Sequence, residues 1–171
     1  MQMPDAFFSV YFSPMKAASS SNIKQELKDL PQNKLVELCL RLARFKKENK
    51  ELLTYLLFEA DDLEGYLAGV KQEVDEGFSE IHKDSMYFAK KNLRKILRNT
   101  NKYIRYTGSK QAEAELLLHF CTRLKQSGIA FHKSNALNNL YQAQLKKIKA
   151  AIASLHEDLQ YDYLRQMEAL T

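Results

Sequence analysis

Apolar residues recur at helical rather than strand spacing along most of the chain, and the breaks between the runs define its elements. After Ser19, Ser20 and Ser21, the run from Asn22 to Leu30 carries the marks of a short helix, with Ser21 or Asn22 as the cap and Pro31 closing it. Pro31 also lies near the start of a second helix, in which Leu35, Leu38, Leu42 and Phe45 recur at helical spacing. Val36, Cys39, Leu40 and Ala43 widen that apolar face, predicting contact with more than one neighbour. Arg44, Lys46 and Lys47 end it. From Leu52 to Phe58, six of seven positions are apolar or aromatic, which predicts a helix and the most buried segment of the protein.

A weaker stripe follows from Asp61 to about Ile81, carried by Leu63, Tyr66, Leu67, Val70, Val74, Phe78 and Ile81, and fits a helix lying on the surface. Gly65, Gly69 and Gly77 within it predict a bend or a close helix contact. Asp84 or Ser85 caps a long helix to about Tyr106, with Gly108 as its stop. The next helix, Lys110 to Lys125, is almost fully apolar in its middle through Leu116, Leu117, Leu118, Phe120 and Cys121, and should be central. A linker through Ile129, Phe131 and His132 leads to a helix from Ser134 or Asn135 to about Leu155. Asp158 to Leu170 either continues that helix or forms a short one of its own.

Short connections and leucine-rich amphipathic segments predict an all-α fold, an irregular antiparallel multi-helix bundle. The alternative is a short HEAT-like stack of helical hairpins, since Leu38 to Lys46 can be laid loosely over Leu117 to Lys125. Residues 22–171 read as a single all-helical domain, and residues 1–21 as a poorly ordered N-terminal extension. Met15 is an alternative start, and Phe7, Phe8, Tyr11 and Phe12 are candidates to dock on an exposed groove. The run Ala6 to Phe12 lacks a basic flank and is far shorter than the roughly 20 apolar residues a membrane span needs, so neither a signal peptide nor a membrane anchor is expected. Cys39 and Cys121 sit in apolar periodic stretches and read as buried core thiols in a reducing, cytoplasmic setting.

Charge changes this picture more by its distribution than by its total of +5. Residues 59–80 hold eight acids and Lys71 as their only base, whereas residues 85–107 hold seven bases and no acid. Projected at 100 degrees per residue, Lys90, Lys91, Arg94, Lys95, Arg98, Lys102 and Arg105 share one arc of about 140 degrees. Such a face is a candidate contact for a protein partner or for the phosphates of a nucleic acid or other polyanion. The plainer alternative is that the basic helix lies against the acidic one, each pair contributing about 0.2–1 kcal/mol.

Chemistry-bearing motifs are scarce. Among the histidines His82, His119, His132 and His156, His119 lies two positions from Cys121, a poor spacing for shared metal ligation on a helix. Glu73, Glu76 and Glu80 share a helix face, but a catalytic carboxylate pair would need a second wall. No phosphate-binding glycine loop, dinucleotide fingerprint or nucleophile elbow occurs. The expectation is a non-catalytic helical interaction or scaffold protein with no metal, cofactor or small-molecule substrate, engaging a protein partner or a second copy of itself. The alternative is a nucleic-acid-associated protein using the helix at 87–106. Tyr161, Tyr163, Leu164 and Met167 form a secondary contact candidate.

Overall fold

A computed structural model describes residues 16–82 and 85–170, and every regular element among them is helical. In chain order these are α1 (Ser20–Lys28), α2 (Gln32–Phe45), α3 (Lys47–Phe58), α4 (Leu63–Ser79), α5 (Met86–Thr107), α6 (Lys110–Gln126), α7 (Asn135–Ile152) and α8 (Glu157–Glu168), with a short 3-10 turn at Phe131–Lys133. The all-α bundle expected from the periodicity is the fold. The expectations for the first fourteen residues and for Asp84 as a cap lie outside the described residues.

Local chemistry sets several boundaries. The Ser19 hydroxyl accepts from the Asn22 amide at 3.2 Å, so α1 starts ahead of the Ser21 or Asn22 cap expected for it. Asp62 caps α4 by accepting from the Gly65 amide at 2.9 Å. Gly108 ends α5 in the left-handed region at φ 60°, a conformation glycine adopts without the Cβ penalty. Ser109 then caps α6. α8 is a separate helix, entered through an extended His156.

The core is built around α6, on which α4, α5, α7 and α8 all pack. Leu116, Leu117, Phe120, Cys121 and Leu124 are fully shielded there. They meet Leu67, Val70, Val74 and Phe78 from α4, Leu93, Ile96 and Leu97 from α5, and Leu137, Ile148 and Ile152 from α7 in one cluster. Phe78 and Phe120 pack ring against ring at 5.4 Å. Each such buried side chain contributes about 1.5–3 kcal/mol relative to an exposed one. Gly77 permits a close approach of α4 to α5, because a Cβ there would fall 2.9 Å from Ile96 Cγ1.

The N-terminal helices depart from expectation. Leu52 to Phe58 is not the most buried segment: of α3 only Tyr55 is buried, while Leu57 and Phe58 are 63% and 79% exposed. α2 has no buried residue at all and packs chiefly against α3 rather than several neighbours. Cys39 is therefore exposed, and only Cys121 is a core thiol, its pKa pushed up to about 12 by desolvation. The reason is topological. α3 touches the body of the bundle along α5 and, through Tyr55 against Tyr66, on α4, and no further layer of described residues covers the remaining faces of the α2–α3 pair.

Candidate functional site

Two surfaces emerge, one basic and one apolar. The basic surface grows from the spacing on α5. Leu93, Ile96, Leu97 and Ile104 pull one side of the helix into the core, and the bases fall on the other. Lys91, Arg94, Lys95, Arg98 and Arg105 are exposed, Lys90 and Lys102 half-buried. Among the described residues, Lys90, Lys91, Arg94, Lys95, Arg98 and Arg105 make no ion pair.

Lys102 is the exception, and its partner lies on α3 rather than on the acidic helix. Its Nζ donates to Glu51 Oε2 at 2.6 Å and sits 4.7 Å from the centre of the Tyr103 ring. Tyr106 donates its hydroxyl to the same carboxylate oxygen at 2.9 Å. The Lys102 hydrogen bond, outweighing partial desolvation and aided by Tyr106, holds the Glu51 carboxyl below its ordinary value. Desolvation, with the acceptor carboxylates beside them, raises the phenols of Tyr103 and Tyr106.

The acidic helix α4 spends its carboxylates elsewhere. Glu73 accepts from the Tyr103 hydroxyl at 2.8 Å. Asp75 faces α6, 2.7 Å from His119 Nε2 and 2.9 Å from Arg123 Nε. Among the described residues the basic and acidic helices share no ion pair; the Tyr103 phenol links them, and six of the seven bases of the arc are left unpaired.

Folding adds cations that α5 alone did not reveal. Arg94, Arg98 and Arg105 line a groove of about 910 Å³ with Lys110 from α6 and Lys147 from α7. Glu113 is its one acid, paired to Lys110 at 2.7 Å. Lys147 joins from a helix distant in sequence, and no local spacing signals it.

Glu73, Glu76 and Glu80 gain the second wall that sequence could not identify. A cleft of about 720 Å³ sets them across from Asn92, Lys95, Asn99 and Tyr103. All three carboxylates are solvent-exposed. His119 is occupied by Asp75 and Cys121 is buried, so the two are not arranged as joint ligands. His132 is exposed, and its neighbour Phe131 packs 4.8 Å from the Tyr141 ring. Among the described residues no group of three or more His, Cys, Asp or Glu is placed to hold a metal ion, and no helix is long and apolar enough to cross a membrane.

The apolar surface is the α1–α3 segment. Val36, Leu38, Leu40, Leu42 and Phe45 on α2 and Leu56, Leu57 and Phe58 on α3 are all exposed, as are Ile23 and Leu27 on α1. Phe45 at the end of α2 is 76% exposed. Large apolar side chains are thus exposed along both helices of one hairpin, where no further layer of described residues covers them.

No family model, curated protein or solved structure matches this chain. Its functional reading therefore rests on these surfaces. The C-terminal contact candidate splits. Tyr163 is buried and donates to Glu115 at 2.9 Å, Met167 packs on the core, and Tyr161 and Leu164 remain exposed.

Proposed function

We propose that this chain is a non-catalytic helical interaction protein that engages a protein partner through the apolar faces of α1–α3. The carrying observation is that α2, fourteen residues long and leucine-rich, buries none of its side chains. An amphipathic helix gains most of its stability from burying its apolar face, so α2 has an unmet packing requirement that a partner helix would satisfy. The free thiols Cys39 and Cys121 support a reducing, cytoplasmic location.

The triple substitution Leu42→Ser, Phe45→Ser and Leu57→Ser tests this reading. If these side chains serve an interface, the isolated protein keeps its helical content and its thermal midpoint moves by only about 2–4 °C. A variant that has lost its helical content or its cooperative thermal transition would mean that they belong to the folding core, and the reading would fail.

A second reading is favoured by the unpaired Arg94, Arg98 and Arg105 around one groove with Lys110 and Lys147. Such a groove suits phosphates, and its affinity would fall with salt. Anisotropy of fluorescent single- and double-stranded nucleic acids across a salt series, with an Arg94→Gln, Arg98→Gln, Arg105→Gln variant alongside, decides it. Salt-sensitive binding lost in the variant supports this reading, and no binding at low salt removes it.

A further inference from the structure

We propose that the partner covering α2 and α3 is a second copy of this chain, the two hairpins packing antiparallel about a twofold axis. The inference rests on the reading of α1–α3 as a protein-docking surface and specifies its occupant. Its basis is the charge at the two ends of α3. The α2–α3 connection, from Arg41 to Lys50, carries five bases against the single acid Glu48. The other end of α3, from Glu59 to Glu64, carries four acids and no base.

Within the described residues of the monomer, Arg41, Arg44, Lys46 and Lys50 make no ion pair, nor do the acids from 59 to 64. The two ends are separated by the length of α3, about 18 Å at the helical rise, too far to neutralise each other. A twofold axis crossing α3 near its middle exchanges its ends. It would place each basic connection against the acidic end of the other copy, twice over, in the isologous geometry of a closed dimer. A parallel arrangement would instead oppose like charges.

Shape agrees with charge. Beside the acidic end lies a groove of about 410 Å³ between α3 and α4, lined by Phe58, Glu59, Asp62, Tyr66 and Glu73 and by no base. The connection that would approach it presents the exposed Phe45 next to Lys46. Between the ends, the exposed leucines of both hairpins would face one another as in a four-helix bundle.

Sedimentation velocity of the full chain over a concentration series tests this, with two charge-reversed variants. The first carries Arg44→Glu and Lys46→Glu; the second carries Glu59→Lys and Asp61→Lys. These side chains are exposed, and circular dichroism checks that each variant folds; a variant that does not is replaced by Lys46→Glu or Glu59→Lys alone. The wild type is expected to dimerise reversibly, and each variant alone to dimerise roughly tenfold or more weakly. An equimolar mixture of the two variants should restore the dimer, since both contacts are then complementary. A wild type that stays monomeric, a dimer indifferent to the reversals, or a mixture that does not recover overturns the proposal. A monomer whose serine-substituted α2–α3 surface remains folded would remove self-pairing and leave the docking reading standing. Unfolding of that serine variant would remove the docking reading itself.

Discussion

Lys102 of α5 and Glu51 of α3 form the ion pair that joins the N-terminal hairpin to the body of the bundle, with Nζ and Oε2 2.6 Å apart and both side chains largely shielded. Tyr106 donates to the same oxygen. One base of the α5 arc is thereby used to hold the hairpin rather than to meet a partner. Glu51→Gln keeps the shape and removes the charge, leaving Lys102 half-buried without its anion. It should lower stability by about 1–2 kcal/mol, as loss of a charge-assisted hydrogen bond does. Hydrogen exchange should locate the loosening in α3 and leave α6 protected.

The same pair sets a pH dependence. Glu51 titrates below its ordinary value near 4.5 in the folded chain, principally because of Lys102 and further because of Tyr106. A depressed carboxyl contributes stability that is present above the unfolded pKa and is lost as pH falls through the folded one. Urea melts repeated from neutral pH down through the carboxylate range should show wild-type stability declining below about pH 4.5, and a shallower decline in Glu51→Gln.

Core and hairpin should respond very unequally to truncation. Phe120→Ala removes a fully shielded ring from the centre of α6 and should cost about 3–5 kcal/mol in a urea melt. Leu57→Ala removes a side chain that is 63% exposed in the monomer and, at a protein concentration too low for self-association, should change stability by about 0.5 kcal/mol or less.

That contrast marks what the sequence could convey. The centrality of α6 was legible, because a run such as Leu116, Leu117, Leu118, Phe120 and Cys121 leaves no face for water. So were the stop at Gly108 and the inward stripe Leu67, Val70, Val74 and Phe78, which follow from local dihedral preference and periodicity. Leu52 to Phe58 has a comparable apolar density but the opposite burial. Apolar content states what a segment can bury, whereas burial depends on whether another element arrives to cover it. The basic arc on α5 was legible as spacing. That Lys102 would be taken by Glu51, and that Lys147 would join Arg94, Arg98 and Arg105, depended on packing between distant helices. The cap of α1 was misplaced because Ser19, Ser20 and Ser21 offer near-equivalent hydroxyls.

The two thiols provide a reporter of the same asymmetry. Cys39 on α2 is exposed, whereas Cys121 is buried with its thiol pushed up to about 12, where little thiolate forms. A thiol-reactive dye at neutral pH should label Cys39 in the native monomer and Cys121 only after unfolding. Equal labelling of both would contradict the burial assigned to α6.

The most direct test of the central claim, that α2 and α3 present a protein-docking surface, is site-specific photo-crosslinking in the cell of origin. A photoreactive residue at Leu42, in the apolar face of α2, is compared with one at Gln142, on the exposed side of α7. The account predicts a discrete protein adduct from position 42, with the chain itself as the captured partner, and none from position 142. Absence of an adduct at 42, or equal and diffuse labelling from both positions, would contradict it.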